Sequence, residues 1–222
     1  MERIGIFGGT FDPIHLGHLH AARDVKKGCA LDRLILVPAA IPPHKRRSDI
    51  ATPAQRLEMV ELAVSAFPGF EVSPIEIHRQ GPSYTIDTVT ALLEEGIHEK
   101  NLFLIMGIDA FQEIETWKSY RELLRRIAVI VISRPTPADP SSAMLCRFVE
   151  ATLHRHISEA YRFHVAQSAF VHPDFQSIHI CPVDPMDISS TEIRGCLREG
   201  RSVRGMIPSR VEEYINSREL YR

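Results

Sequence analysis

Residues 8 to 18 read Gly-Gly-Thr-Phe-Asp-Pro-Ile-His-Leu-Gly-His and follow directly on the apolar run Ile4-Gly5-Ile6-Phe7. That order predicts a buried strand, a tight glycine turn and a helix whose first turn carries two histidines. Glycine lets a backbone come close to a ligand. The bare N–H groups at a helix start, at the positive end of its dipole, form an anion site. His15 and His18 lie three positions apart, so on a helix both side chains leave from one face. The segment gathers donors around a phosphate.

The rest of the chain alternates. Arg3 to Gly8, Leu34 to Pro38, Phe70 to Ile77, Leu102 to Gly107, Ala128 to Ser133 and Ile178 to Val183 read as short strands, mostly rich in β-branched residues. Helical stretches separate them. Thr52-Pro53 supplies a hydroxyl cap and a first-position proline, and Leu57, Val60, Val64 and Phe67 keep helical spacing behind it. A second helix over Thr85 to Glu95 aligns Ile86, Val89 and Leu93 and stops at Gly96. Residues Ala143 to His164 read as helical surface elaboration, and Pro135 to Ser142 as a loop. This pattern predicts an α/β fold: a doubly wound (Rossmann-like) parallel sheet with helices on both faces and ligands at the carboxyl ends of the strands. With 222 residues and neither an internal repeat nor a long linker, one domain over 1–222 is expected.

Charge and cysteine usage exclude several classes. A net charge of -2 gives no global basic field for nucleic acid, although His44-Lys45-Arg46-Arg47 is a local basic run. Cys29, Cys146, Cys181 and Cys196 form no C-x-x-C pair, which argues against a disulfide scaffold or a cysteine zinc site and for a reducing cytoplasm. Met1 runs straight into Glu-Arg and a strand, so no signal peptide is expected. No apolar stretch approaches the roughly 20 residues of a membrane span.

A second phosphate-binding segment lies at Ile188-Ser189-Ser190-Thr191-Glu192-Ile193-Arg194, in the C-terminal part from 185 to 222. Ser189 with Glu192 fits a capping box. Three hydroxyls and an arginine one turn on suit phosphate oxygens. Alone, the segment reads more readily as a well-capped structural helix, and its pairing with the first motif reverses that balance.

Together, G-G-T-F-D-P-x-H-x-G-H and I-S-S-T-x-I-R resemble the nucleotidyltransferase superfamily with the H-x-G-H signature, and more closely the bacterial nicotinate mononucleotide adenylyltransferases. Pro42-Pro43-His44-Lys45, Ser83-Tyr84-Thr85-Ile86-Asp87-Thr88, Met106-Gly107-Ile108-Asp109, Trp117 and Ser133-Arg134-Pro135 match as well. The resemblance implies joining the 5′-phosphate of nicotinate mononucleotide to the α-phosphate of ATP, with release of pyrophosphate and Mg²⁺ carried mainly by the ATP phosphates. It implies His15, His18, Lys45 and Arg194 as catalytic residues. Gly8, Gly9, Thr10, Phe11, Ile188, Ser189, Ser190 and Thr191 would join the histidines and Arg194 around ATP. Lys45, Tyr84, Thr85, Asp109, Trp117 and Arg134 would hold the mononucleotide. The helix start at Tyr84-Thr85 would read the nicotinate carboxylate, the Trp117 ring would stack on the pyridine and Asp109 would accept ribose hydroxyls.

From the residues alone, other readings stay open. His15, His18 and His20 could be zinc ligands, though no Cys or carboxylate completes the shell. Asp12 could simply shape the turn before Pro13, Trp117 could be core, and Arg134 could close a loop salt bridge. At the level of function, a sister transferase using phosphopantetheine or a CTP-dependent substrate, a tRNA synthetase and a non-catalytic nucleotide sensor are alternatives. The turn Gly5-Ile6-Phe7-Gly8-Gly9-Thr10 lacks the G-x-G-x-x-G spacing of a redox enzyme that binds finished NAD.

Overall fold

Ile4 to Phe7 are buried without interruption, which makes β1 (Ile4–Gly9) a central strand covered on both faces. After it come α1 (Leu16–Gly28), β2 (Arg33–Pro38), α2 (Pro53–Val64), β3 (Phe70–Val72), α3 (Ile75–His78) and α4 (Thr85–Glu94). The second half holds β4 (Leu102–Gly107), α5 (Ile108–Gln112), α6 (Tyr120–Arg126), β5 (Ala128–Ile132), α7 (Ser142–His156), β6 (Arg162–His164), β7 (Ala169–Val171), β8 (Ile178–Cys181), α8 (Ser190–Arg198) and α9 (Ser209–Ser217). The structure is a computed structural model that describes residues 2–40, 50–133, 142–184 and 186–222. Its strands form one sheet in the order β3-β2-β1-β4-β5-β8-β7-β6.

Strand alternation divides the core in two. Phe7, Leu34, Leu36, Phe103, Ile105 and Ile130 face one side, where α1, α2, α8 and α9 pack through residues such as Ala22, Met59, Ile193 and Val211. Ile4, Ile6, Ile35, Leu104, Val129 and Val131 face the other, under Val89, Phe111, Leu123 and Val149 of α4 to α7. Each fully buried Val, Leu or Ile contributes about 1.5–3 kcal/mol, so both layers are needed to hold the sheet. Six strands, β3-β2-β1-β4-β5-β8, run parallel. This is the doubly wound arrangement expected, with its topological switch beside β1, whose Phe7 lies opposite both Leu36 and Ile105.

Three expectations need correction. The strand expected over Phe70 to Ile77 ends at Val72, and Ile75–His78 is a short helix. Pro74 has no N–H for the ladder, and its carbonyl instead accepts from Ile77 and His78. The helix expected over Ala143 to His164 ends at His156, and Arg162–His164 pairs antiparallel with Ala169–Val171. Nor is this segment surface elaboration, since Leu145, Val149, Leu153, Tyr161 and Phe170 are buried in the second core layer. The sheet is therefore parallel except for a terminal hairpin, with β7 antiparallel to β8. Among the described residues, no helix is long and apolar enough to cross a membrane.

Candidate active site

The turn leaving β1 is shaped by aromatic packing. Phe11 takes a left-handed φ of 49°, a conformation that costs a non-glycine residue about 1–3 kcal/mol. Its buried ring offsets that cost by packing edge-on against Phe7 and the His18 imidazole, with centroids 6.0 and 5.1 Å away. A side chain at Gly9 would start 2.8 Å from the Phe11 ring, so only glycine fits there.

His15 is not in the first turn of α1; it is the N-cap, with extended backbone (φ -142°, ψ 170°). Its Nδ1 accepts the His18 N–H at 3.3 Å, and His18 Nδ1 accepts the His15 N–H at 3.4 Å. This is a capping box built from two imidazoles instead of a hydroxyl and a carboxylate. The rings stack with centroids 3.7 Å apart. Because both Nδ1 atoms act as acceptors, each ring in its neutral form carries its proton on Nε2. Gly17 permits the stack: a Cβ there would lie 3.0 Å from His15 Nδ1 and 3.6 Å from the Ile188 carbonyl. His20, by contrast, has its Nδ1 3.2 Å from an Asp24 carboxylate oxygen one turn on.

Below the turn lies a buried polar network. Asp12 Oδ1 accepts the Ala51 N–H at 3.0 Å and the Tyr221 hydroxyl at 2.6 Å. The Arg194 guanidinium donates to the Asp12 carbonyl at 2.6 Å and approaches Oδ2 to 3.5 Å. Arg194 Nε and Asp12 Oδ2 have no hydrogen-bond partner among the described residues. Ser189 caps α8 by accepting the Glu192 N–H, Ser190 donates its hydroxyl to the Pro13 carbonyl at 3.0 Å, and Thr191 Oγ1 faces Arg194 at 3.4 Å. The two expected phosphate segments thus meet, 177 residues apart in sequence.

Arg56 is almost fully buried and donates to the carbonyls of Ala51, Thr10 and Ala40 at 3.1, 2.7 and 3.0 Å. Burial holds its guanidinium below the ordinary arginine pKa, opposed by the charge of Asp12. Burial and Asp12 also push the Tyr221 hydroxyl well above the ordinary tyrosine value, so it remains a donor. Sequence reasoning missed Arg56 and Tyr221. Arg56 had a usable signal, because it falls on the stripe Met59, Val60, Ala63 and Val64 that α2 buries. Tyr221 had none.

The expected mononucleotide residues sit around the ends of neighbouring elements. Tyr84 precedes α4 and no side chain caps that helix, so by helix geometry the Thr85 and Ile86 N–H groups lack intrahelical acceptors. Ser83 Oγ accepts the Ala40 N–H at 3.0 Å, joining this helix start to the end of β2. Trp117 is half-buried against the second core layer. Its neighbour Lys118 lies 4.7 Å over the Tyr84 ring and bonds both Asp87 oxygens at 3.0 Å, which brings the Trp117 segment to the start of α4. Asp109 is exposed in the first turn of α5, at the end of β4. Lys45 and Arg134 lie outside the described residues. Among the described residues no three His, Cys, Asp or Glu side chains come together as a metal cage.

Comparison with known proteins adds three findings. The cytidylyltransferase-like family model matches residues 6–195. A curated protein of Desulfatibacillum aliphaticivorans named "Probable nicotinate-nucleotide adenylyltransferase" is 38% identical over 228 residues, covering 99% of each chain. One of the same name from Geotalea daltonii is 38% identical, covering 99% of this chain and 98% of its own. Among solved structures, Plasmodium falciparum nicotinic acid mononucleotide adenylyltransferase complexed with NaAD superposes with a TM-score of 0.70 at 18% identity, over 100% of this chain and 98% of that one. At that identity the superposition speaks for the fold.

Proposed function

The chain belongs to the cytidylyltransferase-like family, with full-length relatives named nicotinate-nucleotide adenylyltransferase, and we propose that it transfers adenylate from ATP to nicotinate mononucleotide in NAD biosynthesis. The products are nicotinate adenine dinucleotide and pyrophosphate, and the cytoplasm is the compartment we assign. The observation that carries this reading is the stacked His15–His18 cap at the end of β1. It places two imidazoles, stacked 3.7 Å apart with both Nδ1 atoms held by backbone N–H groups, beside the glycine turn at the carboxyl end of β1.

In this reading the 5′-phosphate oxygen of the mononucleotide attacks the α-phosphorus of ATP in line. The new O–P bond forms as the bond to the β-phosphate oxygen breaks and pyrophosphate leaves. His15 and His18 donate to the α-phosphate oxygens as their charge grows, and the turn at Gly8, Gly9, Thr10 and Phe11 holds the nucleotide alongside. The first turn of α8, reached through Ile188, Ser189, Ser190 and Thr191, offers backbone N–H groups to the distal phosphates, with the Arg194 charge beneath them. Lys45 adds a further cation. No side chain serves as a nucleophile, so no covalent enzyme intermediate forms. A divalent cation such as Mg²⁺ suits this donor set through the triphosphate oxygens, where it would spread the charge of the leaving pyrophosphate.

For the mononucleotide, the open start of α4 at Tyr84 and Thr85 takes the nicotinate carboxylate. The Trp117 ring stacks on the pyridine, Asp109 accepts from the ribose and Arg134 contacts the phosphate. The test is pyrophosphate release with ATP and Mg²⁺, offering nicotinate and nicotinamide mononucleotide side by side. Release with the acid should exceed release with the amide by 10-fold or more, roughly the effect of one well-placed charge-assisted contact. Equal release would remove the carboxylate-reading role of Tyr84 and Thr85, and release with neither would overturn the transfer reading.

A further inference from the structure

Beyond α9 the chain doubles back. Glu219 and Tyr221 both take left-handed backbone, with φ of 52° and 65°, which is costly for residues other than glycine. The Leu220 N–H bonds the Ile215 carbonyl, and Leu220 and Tyr221 pack on the first core layer. The reversal carries the Tyr221 hydroxyl to Asp12, 209 residues earlier, at 2.6 Å.

We propose that Tyr221 is a positioning residue for adenylyl transfer, acting through Asp12 on the turn that presents His15 to ATP. The proposal rests on the transfer reading above. Asp12 is buried, and its carboxylate Oδ1 has two donors, the Ala51 N–H and the Tyr221 hydroxyl. Oδ2 has no hydrogen-bond partner among the described residues and lies 3.5 Å from Arg194. Removing the hydroxyl would leave the carboxylate with a single N–H and with Arg194 on its other side. A buried carboxylate that loses a donor turns toward the remaining charge. That motion pulls on Asp12, whose carbonyl already anchors Arg194, and Asp12 is three residues before His15. Tyr221 packs on the first core layer with the Phe11 turn, whereas Tyr84 and Trp117 pack on the other. A purely structural tyrosine would weaken the whole protein without preferring one substrate.

The test compares the full chain with Tyr221→Phe, which keeps the ring and deletes the hydroxyl. Expected is a fall of about 10-fold in kcat/KM for ATP, the scale of a sub-ångström misplacement, with KM for the mononucleotide within about two-fold. The rise in thermal midpoint produced by ATP and Mg²⁺ should shrink, while that produced by the mononucleotide stays. Normal ATP kinetics, or a KM for the mononucleotide that rises as much as the KM for ATP, would overturn the proposal. Should Tyr221→Phe not fold, Asp12→Asn against Asp12→Ala takes its place. Asparagine keeps an oxygen opposite Tyr221 and Ala51 and should rescue most of the ATP-side loss caused by alanine; equal losses would overturn the proposal. If the unaltered chain gives no turnover, the transfer reading alone fails. The ATP-induced thermal shift then decides about Tyr221, a smaller shift in Tyr221→Phe supporting it and an equal one overturning it.

Discussion

Gly17 sets how closely the two imidazoles approach. The space beside it is filled by the His15 ring and the Ile188 carbonyl, so a methyl group there must displace the ring by a few tenths of an ångström. Gly17→Ala should lower turnover about 10-fold, because donors aimed at a reacting phosphate lose effect steeply with misplacement. The same change favours helix by up to about 1 kcal/mol, so the thermal midpoint should not fall. Steady-state kinetics with a melting curve separates the two effects, and unchanged turnover would mean that the His15 position is not critical. At this scale the H-x-G-H spacing was legible, and so was the need for donors at a helix start. That His15 caps the helix instead of lying on it was not. Imidazole rarely stands in for the Ser, Thr, Asp or Asn of a cap, and only the paired Nδ1 contacts reveal the role.

Among the elements, α2 does more than cover the sheet. Its start was readable from Thr52 and Pro53, since the Thr52 hydroxyl caps Gln55 as expected. Its inner face was only partly readable, because Leu57 is half-buried and the charged Arg56 takes the buried position beside Met59 and Val60. Arg56 gathers the carbonyls of Thr10, Ala40 and Ala51, that is, the ends of β1 and β2 and the approach to α2. Arg56→Met keeps much of the volume but leaves three carbonyls without their donor. Denaturant unfolding should show a loss of about 3 kcal/mol or more. A loss below about 1 kcal/mol would mean that the loop ends hold one another without the guanidinium. Likewise α8 was legible as a capped helix. Its attachment to Pro13 through Ser190, and to Asp12 through Arg194, depends on partners some 180 residues away that periodicity cannot reveal.

For the whole molecule, alternation of apolar strands and amphipathic helices was enough to predict the doubly wound sheet, because both faces of each parallel strand must be buried. The terminal hairpin escaped that logic. Its strands are three residues each, too short for a period to register, and β6 is exposed throughout. The fold positions the chemistry by setting β1 between β2 and β4, so that the histidine cap, the start of α4 and Asp109 all lie at strand carboxyl ends. The account turns on those histidines acting on the ATP α-phosphate. It is tested most directly by single-turnover transfer from ATP labelled at the α-phosphate to nicotinate mononucleotide, in the unaltered chain and in His18→Ala. The account predicts label in the dinucleotide and none in pyrophosphate, with transfer slowed by about 10²-fold or more in the variant. Label transfer at the unaltered rate in a folded His18→Ala chain would contradict it.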